Sequence, residues 1–175
     1  MDSVRAWLLD SGEIYRIAVG ECELVEVLQD ASVNYVPCGP KHFRNVIVWR
    51  GRIIPALDLG GFGACPGETV HRKAAVAAYQ CAPGEPLRYG AILLNDYPLS
   101  VKVSDSMART PAIDYDPLTE CVISCFQWDD AVVVVIDPAR LFGADLSNSQ
   151  RASGETTVAG VIEGSSAELN TSLSI

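Results

Sequence analysis

The residues of this sequence best suited to catalysis or metal binding are two histidines and six cysteines. Neither His42 nor His71 lies in a recognisable nucleophile or metal-binding motif, so we expect no catalytic role for either. Cys121 and Cys125 are four residues apart and would share one face of a strand. They lie in the apolar segment CVISCFQW and form no C-x-x-C pair, which favours buried free thiols over a zinc site. Cys65, in the loop GACPGE, is expected to be the most exposed and reactive thiol.

Two further patterns, the clustered acidic residues and a glycine run, also match no catalytic, metal-binding or nucleotide-binding motif. The acid pair at residues 129–130 fits a hairpin turn, and Asp114 and Asp116 of the segment IDYDP fit a charged loop. The glycine run at residues 60–63 lacks the GKS or GKT ending of a phosphate-binding loop and the spacing of a dinucleotide-binding turn. We therefore expect no catalytic residue, no metal and no cofactor. The sequence predicts a protein that is not an enzyme.

The composition narrows the classes of partner. A net charge of -9 and a pI of about 4.6 oppose binding to nucleic acid and to anionic lipid. The dense basic stretch at residues 41–52 would be divided between two faces by strand alternation. The longest apolar runs, at residues 74–79 and 131–136, are far shorter than the ~20 residues needed to span a bilayer. We expect a cytoplasmic protein with reduced cysteines, no nucleic-acid partner and no membrane insertion.

The candidate histidines, cysteines and acidic residues must be positioned by strands. Period-two patterns and β-branched runs recur along the sequence and are bounded by Gly, Pro, Asn and Asp. Two hairpins are expected, turning at Gly51 and at residues 129–130. A short helix is expected after Asp137, and a brief helical turn over residues 21–28. Ten short strands predict an all-β fold of barrel or sandwich type, with strands at residues 6–9, 13–19, 33–36, 46–50, 52–57, 72–80, 88–94, 99–103, 121–128 and 131–136.

The chain divides by composition into a folded part and a tail. Residues 1–146 carry the strands and form one domain, with the turn-rich segment at residues 60–67 (GGFGACPG) as the expected joint between its two halves. Residues 147–175 are rich in Ser, Thr, Gly, Asn and Glu, which predicts a disordered tail.

Residues 33–63, VNYVPCGPKHFRNVIVWRGRIIPALDLGGFG, resemble the centre of a CheW-like domain. The family shows a P-x-x-P step, a G-V-I-N-x-R-G strand and hairpin, and a V-P-V-x-D-L strand. The counterparts here are residues 37–40, 45–51 and 54–59. In the expected order, residues 14–28, 89–103 and 121–143 resemble the segments that flank this centre in the family. The resemblance therefore extends over about 135 residues.

The resemblance implies a fold and a function. The family fold is two small five-stranded, SH3-like β-barrels packed side by side. Its members are chemotaxis adaptors that dock onto the regulatory domain of the histidine kinase CheA and onto the cytoplasmic tip of chemoreceptors. A member would therefore be a signal-transduction adaptor in the cytoplasm, recruited to membrane receptor arrays. The alternative hypothesis is a cysteine-based redox or metal-responsive β-barrel protein that works through Cys65, Cys121 and Cys125.

The resemblance also implies where partners bind. Arg50 matches the Arg of the family's R-G motif and would project from a hairpin end to orient a partner. Asn45, Val46, Trp49 and Gly51 would flank it, with Trp49 either an interface anchor or a core residue. A brace from Glu26 or Asp58 could hold the guanidinium.

This chain also departs from the family pattern. Asn45 and Val48 stand where the family has Gly and Asn, and Leu94 and Asn95 stand where it has V-D. These departures suggest a divergent accessory member of a twitching-motility or surface-sensing system.

Overall fold

The computed structural model describes residues 3–12, 16–37, 43–61, 63–110 and 119–143. Within these ranges the chain forms strands, short 3-10 turns and one short helix, α1 (Pro138–Gly143). The strands are β1 (Ser3–Asp10), β2 (Arg16–Gly20), β3 (Leu24–Tyr35), β4 (Asn45–Trp49), β5 (Arg52–Leu57), β6 (Thr69–Tyr79), β7 (Arg88–Leu94), β8 (Leu99–Ser104), β9 (Ala108–Arg109), β10 (Val122–Trp128) and β11 (Ala131–Ile136).

The middle of the chain forms a closed five-stranded barrel in the order β3-β4-β5-β7-β6. Neighbouring strands are antiparallel except β5 and β7, which pair in parallel. The long strand β3 closes the barrel by pairing with both β4 and β6, and its register shifts at two bulges, between Leu24 and Glu26 and between Leu28 and Ala31. Bulges bend a strand, and here they carry its first half around the end of the barrel. The interior is filled by small and branched side chains such as Ile47, Ala56 and Leu93.

The two ends of the chain form the second sheet. Its six strands run in the order β8-β1-β2-β11-β10-β9, and they curve into a half-barrel with β8 and β9 at its edges. Strands β2 and β11 pair in parallel, with Ile17 opposite Val134. The chain therefore starts the half-barrel, builds the complete closed barrel, and returns to finish the half-barrel.

This topology corrects one expectation. Residues 60–67 do not join two halves of the domain, because they connect β5 and β6 of the same closed barrel. The crossings between the two units follow β2 and β7. The error arises because a glycine-rich turn indicates where a strand ends but carries no information about which sheet the next strand joins.

The two units share a core. One buried cluster combines half-barrel residues such as Ile17 and Ile136 with Leu57 and Ile92, which lie on the outer face of the closed barrel. Helix α1 adds to this contact through Leu141. The expected all-β fold of two barrels packed side by side is confirmed, with one barrel closed and the other a half-barrel.

Most element predictions are confirmed, and three strands have the predicted bounds: β5, β7 and β11. The predicted helical turn over residues 21–28 is wrong, because Leu24 begins β3 and the β-branched side chains of Val25 and Val27 belong to that strand. The helix after Asp137 is confirmed: the Ala139 backbone N–H donates to Asp137 Oδ1 at 2.8 Å. The predictions for Pro40, His42, Asp114, Asp116 and residues 147–175 concern positions outside the described residues.

An aromatic side chain of α1, Phe142, packs against the closed barrel. The Phe142 ring lies over Gly90 of β7, where a Cβ atom would be only 2.6 Å from the ring. The same ring stacks on Tyr79 at 5.5 Å between centroids and meets Phe43 edge-on at 5.7 Å. Glycine is therefore required at position 90, because a side chain there would collide with the Phe142 ring. Helix α1 packs against the outer face of β7.

Candidate partner-binding site

The β4–β5 hairpin turns through only two residues, Arg50 and Gly51. Both have positive φ, 49° and 74°, as a tight hairpin of type I′ requires. No heavy atom lies within 4 Å of a Cβ placed on Gly51, so the backbone conformation and not lack of space favours glycine there. The turn places Arg50 at the tip of the barrel with 67% of its side chain exposed.

Arg50 is held by two neighbours. Its Nη2 donates to Glu26 Oε2 at 2.9 Å, and the same oxygen accepts the indole N–H of Trp49 at 2.9 Å. The Arg50 guanidinium also lies 4.7 Å from the centroid of the Trp49 ring. An exposed ion pair alone contributes little to stability. Together, a shared acceptor and a ring beneath the cation fix the direction of the guanidinium.

Glu26 reaches this position because β3 is bulged. The strand curls past the end of β4, and a surface hollow of about 490 Å³ lies between residues 26–32 and residues 48–50. Of the two braces considered from sequence, Glu26 is the one that contacts Arg50. Asp58 instead accepts the backbone N–H of Gly63 at 2.9 Å.

Trp49 belongs to the core of the closed barrel. It is 5% exposed, and its ring lies 4.8 Å from that of Tyr89. Of the two roles left open for this residue, the structure shows the core position. Trp49 therefore orients Glu26 and Arg50 from below and presents almost no surface of its own.

Asn45 and Val46 lie farther from the turn. Asn45 is buried, and its Oδ1 accepts the backbone N–H of Ala64 at 2.9 Å, which ties the loop after β5 to β4. Val46 is half-buried and faces outward opposite Pro55 of β5. The sequence-derived set is thus divided: Arg50, Glu26, Trp49 and Gly51 lie together at the tip, whereas Asn45 is a structural brace.

Sequence reasoning missed the two side chains that dominate this surface. Val48 and Ile53 are cross-strand partners, and they are 64% and 74% exposed. Together with Val46 and Pro55 they form the outward face of β4 and β5, which we call the hairpin patch. The alternation of side chains along β4 and β5 could have identified them. Because the barrel interior is filled by Ile47, Trp49, Ile54 and Ala56, the positions between these residues face outward.

The five cysteines that the structure describes are free thiols. Cys121 and Cys125 are buried free thiols, as predicted, and burial raises the pKa of both, which disfavours the reactive thiolate. Cys65 is exposed, as are Cys22 and Cys81. In the part of the chain that the structure describes, no group of three or more His, Cys, Asp or Glu side chains could hold a metal ion.

In the described ranges of the chain, no helix is both long and apolar enough to cross a membrane. His71, for which no catalytic role is expected, is exposed on β6. Its Nδ1 lies 2.8 Å from Asp30 Oδ1.

Comparisons with known proteins agree with this fold. The family model of the CheW-like domain matches residues 12–146. The scaffolding protein TtCheW from Thermoanaerobacter tengcongensis has a similar structure, with a TM-score of 0.59 at 18% sequence identity, covering 81% of this chain and 94% of that one. No curated protein matches the sequence. Since the family model covers most of the sequence, the chain belongs to the CheW-like domain family.

Proposed function

We propose that this chain is a non-catalytic adaptor of a chemotaxis-type signalling pathway that couples a CheA-like histidine kinase to chemoreceptors. Membership of the CheW-like domain family supports the adaptor role. The observation that carries the assignment of the site is the guanidinium of Arg50, exposed at the hairpin tip and held by Glu26 and Trp49. The adaptor would act in the cytoplasm and join receptor arrays through its partners.

A held arginine suits this role for two physical reasons. Ordering a long side chain costs about 0.5–1.5 kcal/mol at an interface, and the contacts of Arg50 meet much of that cost before a partner arrives. Glu26 occupies one edge of the guanidinium, and the remaining N–H groups can donate to a carboxylate or carbonyl of the partner. The group therefore supplies orientation as well as attraction.

The surroundings of Arg50 have the composition of an interface. The hairpin patch offers apolar area beside the charged group, with Val48 and Ile53 both more than half exposed. Protein interfaces combine an apolar centre with a polar rim, and arginine is among the residues that dominate binding energy there. We place the kinase regulatory domain or the receptor tip on this surface.

Two departures from the family pattern support a divergent, accessory member of a twitching-motility or surface-sensing system. Val48 replaces a polar family residue and enlarges the hairpin patch. Asn45 replaces a glycine and bonds the loop after β5. Both changes alter the surface or its support, and they leave the barrel intact.

Titration of the purified kinase regulatory domain, and separately of the receptor tip, tests this proposal. Arg50→Glu should weaken binding of at least one partner by about tenfold or more, since interface arginines of this kind contribute roughly 2 kcal/mol. Lys102→Glu is the matched control, because Lys102 is also exposed on a strand but lies in the half-barrel. Equal affinities for the two variants would show that Arg50 is not part of the binding site. If the unmodified chain bound neither partner, the proposed function would be wrong.

A further inference from the structure

Two side chains of the hairpin patch, Val48 and Ile53, are covered by no described residue, whereas Val46 and Pro55 are half-buried. Ile53 is the most exposed of the large hydrophobic side chains described, and its cross-strand partner Val48 is almost as exposed. The arginines at positions 50 and 52 border the patch at the turn and are both exposed. The patch therefore borders the exposed guanidinium of Arg52 and that of Arg50, which is paired with Glu26, on a protein whose net charge is -9.

Helix α1 ends on the closed barrel, where a Cβ on Gly143 would lie 2.9 Å from Cys81 Sγ. Strands β5 and β7 pair in parallel with Ala56 opposite Ala91, and one residue back along the same register Pro55 lies beside Gly90. Both residues face outward, because Ala56 and Ala91 fill the barrel interior. Phe142 covers Gly90. Phe142 therefore lies one strand from Pro55, and the chain leaves α1 beside Cys81, at the end of β6, which is two strands from β5.

From the end of β6, β5 lies two strands across the sheet, or roughly 10 Å. Ile53 is two residues along β5 from Pro55, or roughly 7 Å, and Val48 is one strand further, about 5 Å. A flexible segment of about 15 residues has a root-mean-square span of roughly 20 Å. A segment that begins some 15 residues after Gly143 can therefore reach every side chain of the patch without strain.

The sequence has a suitable segment at that distance. Residues 144–175 are mostly small and polar, but residues 156–162 read TTVAGVI and hold three branched aliphatic side chains, Val158, Val161 and Ile162. Glu155 and Glu163 flank this run. The apolar centre matches Val48 and Ile53, and the two flanking carboxylates match the arginines at the hairpin tip.

We propose that residues 156–163 bind intramolecularly across the hairpin patch. Tethering gives the segment an effective concentration in the millimolar range, so a contact too weak to form between separate molecules is substantially occupied within one chain. The match of charge favours this occupant over a second copy of the protein, whose overall charge of -9 opposes self-association.

Docking of this segment would compete with partners for the surface beside Arg50. That consequence rests on the proposed function, whereas the docking itself does not. The tail would act as a built-in competitor, and partner binding would have to displace it.

Photo-crosslinking in the full chain tests the docking. In the Ile53→p-benzoylphenylalanine variant, light should join position 53 to residues 156–163 of the same chain, as mapped by peptide mass spectrometry. Adding V161D and I162D should reduce that product by about tenfold or more, because it places charge in the apolar contact. Adding L169D and L173D instead makes the same charge change in the same tail and should leave the yield unchanged.

A second position of the crosslinker controls for random collision. Val4 is 66% exposed on the half-barrel, and Val4→p-benzoylphenylalanine should give no preferential product with residues 156–163. The proposal is overturned if position 53 gives no product with the tail, if its products join two copies of the chain, or if both tail variants behave alike. None of these outcomes depends on a kinase or a receptor, so they leave the proposed function to its own test.

Discussion

At the scale of single residues, the neighbours Val48 and Trp49 face opposite sides of β4. Val48 is 64% exposed and Trp49 is 5% exposed. Trp49→Ala should lower the free energy of unfolding by about 3–5 kcal/mol because it opens a cavity in the barrel. Val48→Ala should change it by less than about 0.5 kcal/mol. Urea denaturation followed by far-UV circular dichroism measures both, and similar losses for the two variants would contradict the assignment of faces.

Glu23 provides a pH-dependent prediction. Burial raises the pKa of its carboxyl above 4.5, the nearby Asp137 raises it further, and the backbone N–H of Gly20 partly offsets both. A carboxyl with a raised pKa binds its proton more tightly in the folded state. Its contribution to stability is therefore fully present below the unfolded pKa and is lost as the pH rises through the folded pKa.

Glu23→Gln removes this titration and keeps an oxygen that can accept from Gly20. Relative to the variant, the unmodified chain should become less stable as the pH rises from 4.5 to neutral. Urea denaturation of both proteins at the two pH values gives the difference. Parallel stability profiles would show that the Glu23 carboxyl has the same pKa in the folded and unfolded chain.

The sequence and its resemblance to the family together revealed part of the candidate site. Gly51 is recognisable because a tight turn after an alternating strand favours glycine, whereas Arg50 was identified because it matches the Arg of the family's R-G motif. Trp49 could not be assigned to core or surface, since a tryptophan at the end of a strand fits either position. Glu26 could be placed beside Arg50 only as one of two candidates, because the bulges that bend β3 leave no clear sequence signal.

At the scale of elements, the contact between α1 and β7 depends on the missing side chain of Gly90. A Cβ there would lie 2.6 Å from the Phe142 ring, so Gly90→Ala should destabilise the protein by about 1–3 kcal/mol. The double variant with Phe142→Leu should recover part of this loss, because a smaller side chain leaves room for the methyl group. Additive losses in thermal or urea unfolding would show that the two residues do not share this contact.

Strands were well predicted where β-branched runs are bounded by turn residues, as in β11 with its four consecutive valines. The helical turn predicted over residues 21–28 is a strand from Leu24 onward, in agreement with the β-branched side chains of Val25 and Val27 that argued against a helix there. The parallel pairs β2–β11 and β5–β7 were not predicted at all. Parallel pairing joins distant segments, and local patterns contain no register for it.

At the scale of the whole molecule, the closed barrel is inserted between the two parts of the half-barrel, and one core joins them. Leu57 lies in that shared core on the outer face of β5. Leu57→Ala should lower the free energy of unfolding by about 2–5 kcal/mol. If the units unfold together, global amide exchange should accelerate equally in both sheets. Acceleration confined to the closed barrel would show that the units unfold separately.

The central claim is that Arg50 orients a signalling partner, and a graded series at this position tests it most directly. Titration calorimetry with the kinase regulatory domain and the receptor tip should rank the unmodified chain above Arg50→Lys, which keeps the charge but loses the planar fork, and Arg50→Lys above Arg50→Glu. Lys102→Glu should bind like the unmodified chain, and all four proteins should unfold at similar urea concentrations. Equal affinities across the series, with every variant folded, would contradict the account.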